Sequence, residues 1–138
     1  MALRDFQPGD ALPELTKPTV TKTQLVMYSG ASGDFNPIHT VEEYAQEVGL
    51  GGVIAHGMLT MAFVGQLLTE WIGLDGQMEG FKVRFTGMVR PGDVITCSGR
   101  VTERLETDGT LRLVCKVQAI TQQGEVAMKG TATVAVLE

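Results

Sequence analysis

The longest apolar stretch of the chain runs from Gly57 to Ile72 and reads G-M-L-T-M-A-F-V-G-Q-L-L-T-E-W-I. The polar residues that interrupt it are Thr60, Gln66, Thr69 and Glu70. Its first two turns are apolar on nearly every side, a pattern typical of a helix that is buried over most of its surface. At 1.5 Å per residue this helix would be about 24 Å long. We therefore predict one long buried helix near the middle of the chain.

Alternating patterns in the last third of the chain predict strands. In residues 81–86, aromatic and valine side chains alternate with polar ones, which is the period of a half-buried strand. Turn signals follow at P-G-D, D-G and Q-G, in residues 91–93, 108–109 and 123–124. The segments between these turns are rich in Val, Thr and Ile and cover residues 94–106, 110–121 and 125–137. Long antiparallel strands joined by tight hairpins are the expected result.

The first third of the chain predicts an irregular start followed by two shorter helices. Prolines at positions 8, 13 and 18 favour an irregular segment with one extended edge strand that ends near Val20. Thr21 and Gln24 form a capping-box pattern for a helix that ends at the glycines before Asp34. A second capping-box pattern, Thr40 and Glu43, precedes a short amphipathic helix.

A long buried helix and one antiparallel sheet pack most economically when the sheet curls around the helix. The sequence therefore predicts an α+β hotdog fold in a single domain, residues 1–138. Such a sheet leaves an exposed edge, and a second subunit commonly covers it. We expect a homodimer, with a heterodimer as the alternative.

Composition and charge narrow the class of protein. The net charge is −5 and no basic run is present, which argues against a nucleic-acid partner. No apolar run reaches the roughly 18 residues of a membrane helix. The start of the chain, M-A-L-R-D-F, also lacks the pattern of a secretion signal. These features predict a cytoplasmic protein that does not enter a membrane.

Cys97 and Cys115 are expected to be free and buried. If residues 108–109 form a two-residue hairpin turn, Cys97 faces Ile120 and Cys115 faces Thr102. The two cysteines would then be about 16 Å apart along the strands. A disulfide tolerates no more than about 7 Å between its Cα atoms.

Candidate chemistry is concentrated between Tyr28 and Gly57. This stretch holds both histidines of the chain, His39 and His56, together with Asp34. Asp34 and His39 flank a proline turn, D-F-N-P-I-H, and proline fixes its own φ and restricts the residue before it. A rigid turn that carries a carboxylate and an imidazole indicates a general acid–base pair.

Other interpretations of these residues remain open. Asp34 and His39 also suit a capped loop with a hydrogen-bonded histidine. His56 suits structural support of the long helix's start better than proton transfer. Two histidines and a carboxylate could also form a metal site of the 2-His-1-carboxylate kind, although no further ligand signal accompanies them.

The segment Y-S-G-A-S-G-D-F-N-P-I-H closely resembles the hydratase-2 motif of the MaoC-like (R)-specific enoyl-CoA hydratases. A-H-G-M-L is similar to that family's start of the hotdog helix, and V-R-F-T-G-M-V-R-P-G-D to its next strand and turn. The opening M-A-L-R-D-F resembles the catalytic subunit of mycobacterial-type (3R)-hydroxyacyl-carrier dehydratases. Gly87 departs from the pattern, because relatives often carry proline there.

The resemblance implies a role for each matching residue. Asp34 and His39 would be the catalytic pair, and the backbone N–H of Gly57 would stabilise the charge on the thioester oxygen. Asn36 would shape the loop and touch Asp34 or the thioester, and Ser32 would offer a nearby hydroxyl. The reaction would need no cofactor and no metal. Its substrate would be an acyl thioester of coenzyme A or of an acyl carrier protein.

Further substrate contacts are less specific in the sequence. Met58 and Met61 could line an acyl tunnel, although such residues are more often plain core. Lys82 and Arg84 could meet phosphates of the carrier, and so could two other arginines, although each alone is usually a solvated strand residue. The additional arginines are Arg90 and Arg100.

Three functions fit these observations. The first is a hydro-lyase that interconverts trans-2-enoyl and (3R)-3-hydroxyacyl thioesters. The second is a hotdog acyl-CoA thioesterase, which would not need the D-x-N-P-x-H turn. The third is a subunit that works with a non-identical partner; a non-catalytic subunit would typically lose the acid–base pair, whereas this chain has both Asp34 and His39.

Overall fold

The computed structural model describes all residues, 1–138. Its α-helices are α1 (Lys22–Ser32), α2 (Glu42–Glu47) and α3 (Gly57–Ile72). Its strands are β1 (Leu15–Thr16), β2 (Gly76–Phe85), β3 (Thr96–Thr107), β4 (Thr110–Ile120) and β5 (Val126–Val136). Short 3₁₀ segments cover Leu3–Asp5 and Pro37–His39. The strands form one antiparallel sheet in the order β1-β3-β4-β5-β2.

The α+β hotdog prediction is confirmed, because the sheet curls around α3, which contacts β2, β3, β4 and β5. Helix α3 has the predicted bounds, Gly57–Ile72. Its buried residues are Leu59, Thr60, Phe63, Val64, Leu67, Leu68 and Ile72. Alternate residues of β4 are buried on the inner face of the sheet: Leu111, Leu113, Cys115, Val117 and Ala119. The helix and the sheet therefore share one core of 28 buried apolar residues.

The hairpins on either side of β4 are confirmed. Asp108 and Gly109 have φ values of 54° and 77° between β3 and β4, as a turn with two left-handed residues requires. The turn signal at residues 91–93, in contrast, does not form a hairpin. Strand β2 pairs with β5, so the chain between β2 and β3 crosses from one edge of the sheet towards the other.

A bulge in β3 changes the predicted register of the two cysteines. The pairing follows the expected hairpin up to Glu103 and Val114 and then shifts by one residue. Cys97 therefore faces Ala119 instead of Ile120, and Cys115 faces Val101 instead of Thr102. A bulge inserts one unpaired residue into a strand, and side-chain alternation alone does not reveal where this happens. Both cysteines are nevertheless free and buried, as predicted.

The two helices that precede α3 agree only partly with the sequence patterns. The Thr21 side chain accepts a hydrogen bond of 3.1 Å from the Gln24 N–H and caps α1, as predicted. The predicted cap at Thr40 is wrong: the N-cap of α2 is Val41, and no side chain caps this helix. The preceding 3₁₀ turn holds the chain instead, because the N–H groups of Thr40 and Val41 both bond to the Pro37 carbonyl.

One long edge of the sheet has no partner strand. Strand β1 has two residues and forms one edge, whereas β2 has ten residues and forms the other. None of the helices has the length and hydropathy of a membrane span.

Candidate active site

The loop that carries Asp34 is held by its own polar side chains. Helix α1 ends at Gly33, whose φ of 74° is a left-handed conformation that glycine adopts easily. The Ser32 hydroxyl donates to the Tyr28 carbonyl (2.7 Å) and accepts from the Asp34 N–H (3.2 Å). The loop therefore leaves α1 in a fixed direction, with the Asp34 side chain 49% exposed.

The next turn brings His39 to Asp34. Asp34 Oδ1 accepts a hydrogen bond from the Asn36 N–H, and Asn36 Oδ1 accepts one from the Ile38 N–H, each 3.2 Å long. Asn36 is thus the N-cap of the Pro37–His39 3₁₀ turn. These hydrogen bonds form within the loop instead of with water, and they fix the position of His39 relative to Asp34.

The protonation of the His39 ring follows from its partner. His39 Nδ1 lies 2.8 Å from the Ile54 carbonyl oxygen, which can only accept. Nδ1 therefore carries the proton, and Nε2 of the neutral ring is an acceptor. Nε2 lies 3.7 Å from Asp34 Oδ2, too far for a direct hydrogen bond. The buried His39 imidazole and the half-exposed Asp34 carboxylate thus face each other, and each presents one acceptor atom to the other.

His56 lies directly against His39. The two rings stack with centroids 3.9 Å apart and planes inclined by 22°, and the Tyr28 ring meets His56 edge-on at 4.8 Å. His56 Nε2 lies 2.9 Å from the Ser29 hydroxyl, whereas its Nδ1 is buried without a hydrogen-bond partner. Burial, and secondarily the charge on His39, lowers the pKa of His56 below its usual value. His56 is therefore a neutral support for the His39 ring near neutral pH.

Gly57 follows His56 and begins α3. The first N–H groups of an α-helix have no acceptor within the helix, and the His56 side chain does not cap this one. Gly57 is exposed, and a Cβ added there would lie 3.1 Å from the Phe85 ring. A mainly apolar cavity of about 260 Å³ opens beside it, lined by residues that include Ile54, Ala55, Thr60, Phe85 and Met88. A polar donor therefore sits at the mouth of an apolar space.

The remaining predicted substrate contacts lie elsewhere. Met58 is 56% exposed and Met61 packs against the core, and neither lines the cavity beside Gly57. Lys82 and Arg84 are exposed and alternate with Phe81 and Val83, which pack against the core. The two cations therefore project from the outer face of the sheet, away from α3.

Arg90 and Arg100 are engaged with the backbone. Arg90 donates to the carbonyls of Leu50 (2.6 Å) and Gly52 (3.4 Å), so it holds the loop that leads to α3. Arg100 lies on β3, next to the β1 edge of the sheet, and donates to the Gly9 carbonyl.

Two residues of the site were not identified as functional from the sequence. Ser29 bonds to His56, and the Ile54 carbonyl fixes the His39 tautomer. Ser29 is a buried serine on the same face of α1 as the buried Leu25, a pattern that signals a polar partner in the core. No side-chain pattern identifies Ile54, because it acts through its backbone.

The residues of the alternative metal site are close together, but their rings are poorly oriented for one ion. Asp34, His39 and His56 each offer a ligand atom, and these atoms lie within 4.8 Å of one another. An imidazole donates to a metal in the plane of its ring. Because the two rings stack, their planes run nearly parallel, and an ion would lie out of at least one of them. His56 Nε2 is moreover engaged by Ser29.

Residues 5–123 match the sequence profile of the MaoC like domain. The chain is 33% identical over 121 residues to the (R)-specific enoyl-CoA hydratase of Rhodospirillum rubrum, and the match covers 86% of this chain and 81% of that protein. It is 41% identical over 86 residues to the fatty acid synthase subunit beta of Aspergillus oryzae. That second match covers 54% of this chain but only 4% of the much longer synthase subunit.

The fold is also similar to solved structures. The unliganded R-hydratase PhaJ1 from Pseudomonas aeruginosa superposes with a TM-score of 0.86 at 26% sequence identity. This superposition covers 98% of the present chain and 84% of the hydratase.

Proposed function

The chain belongs to the family of MaoC-like domains, and from this we propose that it is a hydro-lyase acting on acyl thioesters. It would interconvert trans-2-enoyl and (3R)-3-hydroxyacyl thioesters within one hotdog domain, residues 1–138. The relative from Rhodospirillum rubrum is named for this reaction and matches over most of its length. The observation that carries the proposal is the pair of acceptors, Asp34 Oδ2 and His39 Nε2, facing each other at 3.7 Å.

This separation suits the binding of a substrate water. Hydrogen bonds of about 2.8 Å from one water oxygen can reach two acceptors that are 3.7 Å apart. A water that donates one O–H to Asp34 and the other to His39 directs its lone pairs away from both. The oxygen is then free to attack C3 of an enoyl group. The pair takes one proton as the C3–O bond forms and returns one proton to Cα, so H and OH are added across the double bond.

Gly57 is proposed to stabilise the charge that develops on the thioester oxygen. Its N–H stands at the positive end of α3 and follows His56, which stacks on His39. With no side chain at this position, a carbonyl can approach the N–H closely. The cavity beside Gly57 would take the acyl chain.

The other residues of the loop are proposed to act through Asp34. Asn36 and Ser32 are bonded to the Asp34 carboxylate and N–H, respectively, so they would fix its position. Met58 is exposed one residue beyond Gly57 and would contact the thioester arm at the cavity's mouth. Met61 would support the core behind it.

A hotdog thioesterase is not favoured. Hydrolysis would use a carboxylate and one activated water at the carbonyl carbon, and it would not need the D-x-N-P-x-H turn. The relatives described above are hydratases or synthase subunits. No metal is proposed, because two stacked imidazoles do not converge on one ion.

The protein is proposed to work as a dimer. The long β2 edge lacks a partner strand, and exposed edges of this length readily pair with another chain. An identical subunit is the simplest partner, because a two-fold axis would pair β2 with itself. A non-identical MaoC-like subunit is the alternative.

The test of the proposed reaction uses crotonyl-CoA as substrate. Hydration removes the enoyl absorbance without releasing a thiol, whereas a thioesterase releases free coenzyme A. Chiral chromatography of the 3-hydroxybutyryl product should give the R enantiomer. A chelator should leave the rate unchanged. Thiol release at the rate of substrate loss, or an S product, would refute the proposal.

A further inference from the structure

Five cations lie on the outer face of the sheet, in two neighbouring rows. The first row crosses the strands through Lys82, Thr131, Lys116 and Arg100, which are successive cross-strand partners. The second crosses through Arg84, Lys129, Gln118 and Ser98. We call the five cations of these rows the basic face: Lys82, Arg84, Arg100, Lys116 and Lys129. All five are exposed.

The basic face is unusual for this chain. The protein has 16 acidic and 11 basic residues, yet neither row contains a carboxylate. None of the five cations takes part in a salt bridge, although four salt bridges occur elsewhere. Two acidic residues lie at its margin: Glu103 pairs one step beyond the first row, and Glu14 lines a cavity beside it.

The arrangement of these five cations also destabilises the sheet. Arg100 on β3 lies directly opposite Lys116 on β4, and Arg84 on β2 lies directly opposite Lys129 on β5. Like charges that face each other across strands destabilise a sheet. Two such pairs, with no carboxylate to relieve them, are accounted for if an acidic partner binds there.

The basic face crosses four of the five strands of the sheet. It extends from β3 to β2, three strand spacings or about 14 Å. A cavity of about 500 Å³ lies along it, lined by Arg100, Lys116, Lys129 and the segment around Ala11–Glu14. Flexible side chains spread over this width match dispersed carboxylates better than they match the clustered phosphates of one nucleotide. A second copy of this face would be repelled by it.

We propose that the basic face is the docking surface for the acidic face of an acyl carrier protein that delivers the substrate. This inference rests on the proposed function, since it supposes that the thioester is the substrate. The face reaches the catalytic end of β2: Arg84 precedes Phe85, whose ring lies against Gly57. A carrier bound there can pass its arm around the end of β2 to the N–H of Gly57.

The test compares three crotonyl thioesters that share their reacting atoms: those of a purified acidic acyl carrier protein, of coenzyme A and of pantetheine. The variant is Lys116→Gln with Lys129→Gln, which removes one cation from each like-charged pair. The matched control is Lys22→Gln with Arg112→Gln, which removes the same charge from outside the basic face. Lys22 and Arg112 are paired with Glu42 and Glu79.

For the carrier-protein substrate at low salt, we expect kcat/KM of the face variant to fall about tenfold or more, since steered association gains at least that much. The control should change less than about twofold, within the small effect of exposed ion pairs. Raising the ionic strength from about 0.02 to about 0.2 M should reduce the difference between wild type and variant. Turnover of crotonyl-pantetheine should be equal in all three proteins.

An independent readout does not need the substrate. Because the variant relieves two like-charged pairs, its melting temperature at low salt should be equal to or above that of the wild type.

The outcomes separate the two proposals. If the wild type does not hydrate crotonyl-pantetheine or crotonyl-CoA, the proposed function fails. If it hydrates both, but kcat/KM for the carrier protein is the same in face variant and wild type, the docking surface is refuted alone. A preference for coenzyme A that the variant abolishes would also refute it and assign the face to nucleotide phosphates.

Discussion

His39 and His56 stack with their ring centroids 3.9 Å apart. Burial of the His56 ring, which is 2% exposed, lowers its pKa, and a charge on His39 at this distance lowers it further. The hydrogen bonds to Ile54 and Ser29 leave each ring in one orientation. The stack thus keeps His39 positioned with its Nε2 towards Asp34.

The pH dependence of stability should carry the signature of His56. Its pKa in the folded protein is lowered from 6.5, chiefly by burial. Between the lowered pKa and 6.5 the unfolded chain binds more protons than the folded one, so the free energy of unfolding rises with pH. Stability is therefore present in full above this window and is lost as the pH falls through it. His56→Gln should flatten this dependence, as measured by chemical denaturation between pH about 5 and about 7.

His39→Gln is the matched control, because it removes the neighbouring charge but keeps the buried His56. Its stability should still fall with acid, although less than that of the wild type. Parallel loss of stability in the wild type and His56→Gln would show that His56 does not titrate in this window.

Asp34→Asn tests the proton acceptor. The substitution keeps Oδ1, and with it the hydrogen bond from the Asn36 N–H, but removes the charge that faces His39. Loss of general acid–base participation should lower kcat by about 10²–10⁴-fold, or roughly 3–5 kcal/mol of barrier. The melting temperature should change little, because the Asp34 side chain is 49% exposed. Turnover of crotonyl-CoA near the wild-type rate with an unchanged melt would remove Asp34 from the mechanism.

His39→Ala tests whether the two residues act as a unit. The single variant should lose activity in the same range as Asp34→Asn. If the pair shares one water, the double variant should be little slower than either single variant. Losses that multiply in the double variant would leave both residues in the site but contradict a shared water.

Much of this architecture could be predicted because single segments encode it. The first two turns of Gly57–Ile72 are apolar on nearly every side and few polar residues interrupt the rest, so the bounds of α3 follow from the sequence. The polar turn around Pro37 likewise indicates where Asp34 and His39 come together. The outward direction of Lys82 and Arg84 was also contained in their alternation with Phe81 and Val83, which pack against the core.

The rest depends on contacts between distant segments. The stack of His39 on His56 joins the 3₁₀ turn to the start of α3, and no local pattern contains it. The bulge before Glu103 arises from pairing between β3 and β4. The like-charged pairs of the basic face become visible only when the register of β2, β4 and β5 is known.

The two cysteines should be unreactive in the folded protein. Burial raises the pKa of Cys97 to about 11 and that of Cys115 to about 12. Because the thiolate is the reactive form, neither should react with a disulfide reagent at pH about 8 within minutes. Both should react at once in denaturant. Rapid labelling of the native protein would mean that β3 and β4 separate readily, and Cys97→Ser would identify the strand concerned.

The β2 edge should be protected by a second subunit. Light scattering at micromolar protein should give a mass near twice 14.8 kDa. In hydrogen exchange, the β2 amides that point away from β5 should exchange slowly, because the other chain accepts from them. A mass near that of one chain, with fast exchange of those amides, would contradict the dimer. Slow exchange only after co-expression with another MaoC-like subunit would indicate a heterodimer.

Gly57→Ala tests the close approach of the thioester to α3. An added Cβ would lie 3.1 Å from the Phe85 ring and beside the N–H that is proposed to bind the thioester oxygen. Loss of one such donor interaction costs about 10²–10³-fold in kcat, and we expect an effect of that order. The free energy of unfolding should change little. Phe85 is 47% exposed, so its ring can shift away from the added methyl group, and alanine favours a helix over glycine by about 1 kcal/mol.

The double variant Gly57→Ala, Phe85→Ala separates two causes of that loss. If the methyl group acts by displacing the Phe85 ring, removing the ring should restore turnover of crotonyl-CoA. If the methyl group obstructs the thioester itself, the double variant should remain as slow as Gly57→Ala, and this is the expected result. Phe85→Ala alone is the control, since it enlarges the cavity beside Gly57 without altering the N–H. Full recovery in the double variant would show that Gly57 is needed for the packing of Phe85 and not for the approach of the substrate.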